Sequence, residues 1–123
     1  AFTTAFPVGT LLAQTWDTAL QAEIGRAVGE EMNAYGCAWW LAPGMNHQRN
    51  PLCGRNFEYF SEDPVLTGVT AASVVSGVQS CPGVGATIKH FACNNRENNR
   101  MSCDSVVSER ALREIYLRGF EIA

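Results

Sequence analysis

The sequence predicts an α/β fold built on a parallel sheet, on three observations. Two apolar runs, Ala38–Ala42 and Val84–Phe91, are too short for helices and are bounded by Gly or Pro. Three longer stretches carry apolar residues at three- and four-residue steps. The polar, turn-forming residues gather after the short runs and before the helices. Strands that alternate with helices in this way imply parallel pairing.

A first strand is expected near Gly9–Ala13. The first long helix is expected over Asp17–Tyr35, with Asp17 placed to cap the free amides of its first turn. Leu20, Ile24, Val28, Met32 and Tyr35 form its apolar stripe, and Gly36 is the expected stop. Ala38–Ala42 (AWWLA) suits a buried parallel strand. The stretch 43–63 is a long loop, and its aromatics Phe57, Tyr59 and Phe60 argue against disorder. Pro64 opens the next helix, where a missing amide costs little, and that helix runs to about Gln79. Gly68, Ala71, Ala72 and Gly77 permit close packing along it. Pro82-Gly83 breaks the chain before the strand Val84–Phe91. A second polar loop, Asn94–Asp104, precedes a last helix capped by Ser108. That helix carries Leu112, Ile115, Tyr116 and Phe120 on one side and the pairs Glu109/Arg113 and Glu114/Arg118 on the other.

The order amounts to about three β/α units, each polar loop leaving the C-terminal end of a strand. In a (β/α)8 barrel that edge carries the active site, and eight units make roughly 250 residues. Three units alone would leave sheet edges and helix faces open. The expectation is therefore a partial (β/α)8 barrel over residues 1–123, an internal piece incomplete at both ends. The N-terminus, without an initiator Met or a basic leader, reads as neither a signal peptide nor a natural start.

Composition narrows the function. A hydrophobic fraction of 46% with 17% charged residues describes a core-forming chain. A net charge of -3 gives no bulk attraction to nucleic acid or an anionic membrane. No apolar run approaches the roughly 20 residues of a spanning helix. The five cysteines include no C-x-x-C pair, so neither a metal nor a redox motif is expected, and no cofactor. They read as mostly buried free thiols, with one disulfide left open and the compartment unassigned.

The loops hold the candidate chemistry. Lys89 is the only lysine and stands beside His90 at a strand end. Taken alone, the pair reads as a surface lysine next to a core histidine before it reads as a site. Successive strand residues point to opposite faces. Lys89 and His90 can share a pocket only if the strand ends or its backbone is irregular there, so distorted backbone is expected across Lys89–Phe91, with a cis peptide as one form. The loop acids Glu58, Glu62, Asp63, Glu97 and Asp104 read as caps and salt bridges: Asp63 as the cap before Pro64, Glu97 as a group that orients a basic neighbour. Trp16, Trp39 and Trp40 read as core, and the aromatics of the long loop either stack on a ligand or pin the loop. No Walker motif or G-x-G-x-x-G supports a phosphate-binding domain.

Three stretches carry a resemblance: FPVGTLLAQTWD (6–17), LAPGMNHQRNPLCGRNFEYFSEDP (41–64) and KHFACNNRENNRMSCDSVVSERALREIYLRGFE (89–121). Their order, spacing and loop placement resemble the barrel domain of family 3 glycoside hydrolases, in the β-glucosidase/β-xylosidase branch. The resemblance implies a TIM-like barrel followed by further domains. It also implies retaining hydrolysis of a terminal β-linked sugar by a nucleophile and a proton donor. Both carboxyl groups are expected outside this chain, so the piece alone is expected to be inactive. The substrate implied is a β-linked oligosaccharide or an aryl or alkyl β-glycoside, and the implied partners are the rest of the barrel and a C-terminal domain. By family position Arg55, Lys89 and His90 line the subsite for the terminal sugar, and Arg100 contributes from its loop. The sequence departs from the usual pattern at NHQRNP (46–51), at Arg96 in NNRE and in the bulky AWWLA strand, and no role is carried onto His47 or Gln48. KHFAC departs from the KHFPG loop of the N-acetylhexosaminidase branch. The competing reading is a non-catalytic carbohydrate-binding or structural α/β module.

Overall fold

The computed structural model describes residues 2–123. Its elements are α1 (Gly9–Ala13), α2 (Thr18–Ala34), β1 (Trp39–Trp40), α3 (Pro64–Gln79), β2 (Gly85–Ala86), α4 (Glu109–Ala111) and α5 (Arg118–Ile122). A 3-10 turn covers Asn56–Glu58, and a π turn, Leu112–Tyr116, lies between α4 and α5. β1 and β2 pair in parallel with Trp39 opposite Gly85 and Trp40 opposite Ala86, joined through α3. The contact continues past the regular strands: the amides of Thr87 and Lys89 donate to the carbonyls of Trp40 and Pro43, at 2.8 and 3.1 Å. The Met45 amide donates in return to the Lys89 carbonyl at 2.7 Å. Two parallel segments thus run side by side up to Lys89, and both polar loops begin where they end.

The long helices are set by their ends. The Asp17 carboxylate accepts the amides of Ala19 and Leu20, both at 3.0 Å, and Gly36 adopts φ 68° just past the last turn. The Asp63 carboxylate accepts the Leu66 amide at 2.7 Å, with Pro64 in the first position of α3. Each cap is the residue the sequence points to.

The buried side of α2 differs from the expected stripe. Gln21, Gly25, Gly29 and Met32 are buried, while Leu20 and Tyr35 are exposed. The reason is backbone approach to α3. A β-carbon on Gly25 would lie 2.2 Å from the Val74 carbonyl oxygen, and one on Gly77 would lie 2.0 Å from that of Ala22. Glycine lets the two helices touch backbone to backbone, and Ile24 and Val28 then flank the seam, packed against a core of Leu12, Met32, Met45, Phe60, Val74 and Val78.

Other expectations need correction. Gly9–Ala13 is a short helix, not a strand: the Leu12 amide reaches back to the Val8 carbonyl at 3.1 Å, and Leu12 and Ala13 turn inward. A short apolar run does not distinguish strand from buried helix by pattern alone. The described residues therefore hold two strands rather than three. Trp39 and Trp16 are 71% and 76% exposed, whereas Trp40 packs on the core. Ser108 caps the last helix, accepting the Ala111 amide at 3.2 Å, but the π turn changes the register of the residues beyond it. Glu109 still pairs with Arg113, while Glu114 pairs with Arg110 and Arg118 with Glu121. All five cysteines are free thiols, with Cys53 and Cys81 buried.

Candidate functional site

The first polar loop is pinned before it presents anything. Tyr59 and Phe60 are buried, and only Phe57 of the three loop aromatics stays exposed. The Gln48 side-chain amide donates to Thr10 Oγ1 and to the carbonyls of Asn56 and Tyr59, at 2.8, 3.0 and 3.2 Å. His47 is buried and its Nε2 donates to the Ile115 carbonyl at 2.8 Å, while burial holds its pKa below the ordinary histidine range. That carbonyl belongs to the π turn. His47 thus ties the loop to the last helix, and its own carbonyl accepts from Asn95 of the second loop. His47 and Gln48, to which the sequence lends no role, hold the loop in place.

On this frame the charged residues form one cluster. Glu58, at the end of the 3-10 turn, is ion-paired with Arg55 on one oxygen and with Lys89 on the other, the latter at 3.4 Å. Burial pushes the Glu58 carboxyl up. The hydrogen bond from Arg55 and the positive charges of Lys89 and Arg55 together outweigh it, and the pKa lies below the usual carboxylate range. Glu58 is therefore a fixed anion that sets two cations side by side. The Arg55 guanidinium is correspondingly raised, mainly through its hydrogen bond to Glu58.

His90 sits on the other flank. Asn46 Nδ2 donates to the His90 carbonyl at 2.9 Å, and Asn46 Oδ1 accepts the His90 amide at 2.8 Å. The Tyr59 hydroxyl lies 3.4 Å from His90 Nδ1 and receives a hydrogen bond from the Asn94 side chain at 3.3 Å. Burial raises the Tyr59 pKa to about 12, so it stays a neutral phenol. Asn94 also donates to Glu97 Oε1 at 3.0 Å, and Arg100 donates to Glu97 Oε2 at 3.0 Å. The hydrogen bond from Asn94 leads the effects that hold the Glu97 carboxyl low, with the Arg100 charge adding to it.

A chain of direct contacts therefore joins Arg55 to Lys89 through Glu58, and His90 to Arg100 through Tyr59, Asn94 and Glu97. The backbone at the strand end is irregular as expected: the Lys89–His90 and Phe91–Ala92 peptides are cis. A cavity of about 400 Å³ abuts the cluster at Gly44 and Glu58, but Arg55, Lys89, His90 and Arg100 do not line it. The four basic residues stand on an open face, with side-chain exposures of 24% for Arg55, 26% for Lys89 and 55% for Arg100.

Sequence reasoning places Glu58 among ordinary salt-bridging acids. It is one, but both of its partners are candidate sugar ligands. The adjacency in GRNFE is the available signal. Asn46, Tyr59 and Asn94 give no sequence signal of this network, because a side chain that fastens the His90 backbone leaves no periodic trace. Among the described residues no group of His, Cys, Asp and Glu could hold a metal ion. Nor is any helix long and apolar enough to cross a membrane.

Comparison with known proteins bears on this face. The family described as "Glycosyl hydrolase family 3 N terminal domain" matches residues 1–123. Beta-glucosidase A of Butyrivibrio fibrisolvens is 57% identical over 120 residues, which is 98% of this chain and 14% of that protein. Thermostable beta-glucosidase B of Acetivibrio thermocellus is 55% identical over 98% of this chain and 16% of its own length. The solved structure of beta-glucosidase 3B from Thermotoga neapolitana, in complex with α-D-glucose, superposes with a TM-score of 0.97 at 66% identity, covering 99% of this chain and 17% of that one. The chain thus spans less than one fifth of the length of these relatives.

Proposed function

The chain belongs to glycosyl hydrolase family 3, and on that basis we propose that it is part of the N-terminal barrel domain of a retaining β-glycosidase, the part that grips the terminal non-reducing β-D-glucosyl (or β-xylosyl) residue. Arg55, Lys89, His90 and Arg100 are the ligands of that sugar. The nucleophilic Asp and the acid/base Glu come from outside this span. The open face is closed by other strands of the same barrel, which supply the opposite wall of the pocket.

One observation carries this reading: residues from two loops far apart in sequence are bound into a single cluster by Glu58, with Arg55 and Lys89 on its two oxygens. Sugar hydroxyls need several directional partners in a partly dry pocket. Arg offers a rigid fork and Lys three donors on a compact charge. Glu58 neutralises part of their mutual repulsion and fixes their spacing. Such contacts accelerate the reaction to the extent that they tighten as the ring flattens toward the oxocarbenium-like transition state.

The carboxyls of this cluster are poorly suited to the chemical step. A general acid for glycoside cleavage needs a raised pKa. Those of Glu58 and Glu97 are lowered, and each is committed to a cation. The lowered pKa values argue against either as the proton donor, and the ion pairs to Arg55, Lys89 and Arg100 occupy the oxygens that a nucleophile would need free, so both reacting carboxyls are assigned to parts outside this span. The test is turnover of an aryl β-D-glucoside by the full-length protein that carries this segment, beside its Lys89→Met variant and beside the 123-residue chain alone. Turnover by the full-length protein, a large loss in the variant and none in the isolated chain are expected. Turnover by the isolated chain would contradict the assignment of both carboxyls to other parts.

A further inference from the structure

Asn46 is 3% exposed, and the two ends of its side-chain amide are held by the peptide groups of His90. Nδ2 faces a carbonyl and Oδ1 faces an N–H, at 2.9 and 2.8 Å. Rotating the amide would set oxygen against oxygen and N–H against N–H, so these contacts determine which end is which. The same Oδ1 lies 2.8 Å from His90 Nδ1. An amide oxygen only accepts, so Nδ1 must carry a hydrogen; a neutral imidazole has one N–H, so Nε2 keeps a bare lone pair.

We propose that Asn46 is a positioning residue that locks His90 in the Nδ1–H tautomer, so that His90 Nε2 accepts a hydrogen bond from one hydroxyl of the bound sugar while Lys89 and Arg55 act as donors. This rests on the sugar-binding reading above and assigns a direction to one of its contacts. His90 Nε2 takes no hydrogen bond from the described residues and is not walled off from solvent. The Tyr59 hydroxyl, at 3.4 Å, is too far from Nδ1 to displace the 2.8 Å contact. Among the charged groups around the ring, Arg55 and Lys89 oppose protonation, and Glu58 and Glu97 favour it. Burial leads, the two cations add to it, and the His90 pKa falls below the ordinary histidine range, which keeps the ring neutral near pH 7. Every other basic member of the cluster can only donate. His90 is then the one basic residue of the cluster that requires its hydroxyl to give up a hydrogen, and a hydroxyl that donates to Nε2 still has lone pairs for Lys89 or Arg55.

The direct test is 15N NMR of the full-length protein labelled at histidine, with His90 assigned from its Gln variant, without and with glucose. The expected spectrum shows a protonated Nδ1 and an unprotonated Nε2, with Nε2 shifting on addition of glucose without gaining a proton. A protonated Nε2 at neutral pH would overturn the assignment. The second arm is inhibition of aryl β-glucoside hydrolysis by monodeoxy and monodeoxyfluoro glucosides, since fluorine cannot donate. At one ring position the two analogues should bind equally, each on the order of 10-fold weaker than the parent sugar. In Asn46→Asp the added carboxylate raises the His90 pKa and converts Nε2 to a donor in mildly acidic solution. Because the same variant sets an oxygen against the His90 carbonyl in place of the Nδ2 donor, a constant loss of sugar affinity is expected at every pH. Affinity should fall further at low pH and recover in part as the ring deprotonates, and a loss with no pH-dependent part would count against the proposal. Absence of any glycoside turnover in the wild-type protein would sink the sugar-binding reading itself, whereas turnover with an Nε2–H imidazole would sink the tautomer assignment alone.

Discussion

The seam between α2 and α3 and the cluster around Glu58 are ordered by opposite means. At the seam the closest approach is backbone to backbone: the carbonyls of Ala22 and Val74 lie against Gly77 and Gly25, and shape sets the distance. In the cluster almost every contact is polar, and position is set by pairing Glu58 with two cations and Asn46 with the N–H and C=O of His90. The contrast locates where each region tolerates change. Shape-determined packing has a hard wall on one side, so an added methyl is severe. Charge-determined packing is softer in stability, because its members remain partly solvated, yet it fixes the spacing and direction of the Arg55 and Lys89 donors.

The largest effect is expected at the seam. Gly77→Val puts a β-branched side chain where even one carbon would lie 2.0 Å from a backbone oxygen. A loss of about 3 kcal/mol or more is expected in urea unfolding of the full-length protein. A loss below about 1 kcal/mol would show that the helices separate easily and that the seam is not shape-determined. Next in size, Lys89→Met and Arg55→Ala should each lower kcat/KM for an aryl β-glucoside by roughly 100-fold, with little change in the unfolding midpoint, as expected for losing charged hydrogen bonds to a ligand. Equal losses in stability would place these residues with the seam instead.

Glu58→Gln should cost roughly 10-fold in kcat/KM, less than removing a ligand, because it loosens two donors without deleting either. It also carries a pH signature. A carboxyl whose folded pKa is depressed adds stability above its unfolded pKa, and that contribution disappears as pH falls through the folded value. The stability gap between wild type and Glu58→Gln should therefore be widest near pH 7 and close as pH falls below the ordinary glutamate range. A gap that widens on acidification would contradict the Arg55–Glu58–Lys89 clamp. Glu109→Gln is the smallest: it breaks an ion pair whose side chains are 73% and 69% exposed, and should change stability by no more than about 0.5 kcal/mol.

Much of this is legible in one dimension because some determinants are local. Asp17, Asp63, Pro64 and Ser108 announce helix starts by their own chemistry, with partners two or three residues away. The run Val84–Phe91 and the loops around it point to the strand end where Lys89 and His90 stand. The failures share a cause. Gly9–Ala13 reads as a strand until Leu12 and Ala13 are seen to face the core, and Trp16 and Trp39 read as core until the described surface leaves them exposed.

The ends of α2 and α3, the cap of the last helix, the parallel α/β order, the family and the identity of the basic residues in the two loops are written in the order of the residues, because each depends on neighbours in the chain or on motifs read in sequence. Folding had to settle that α2 buries its glycines rather than its leucine, that Glu58 stands between Arg55 and Lys89, and that Asn46 grips His90 from 44 positions away. Those are contacts at long sequence distance. Their geometry depends on how the two loops emerge from adjacent strand ends, and no periodicity or spacing along the chain encodes it.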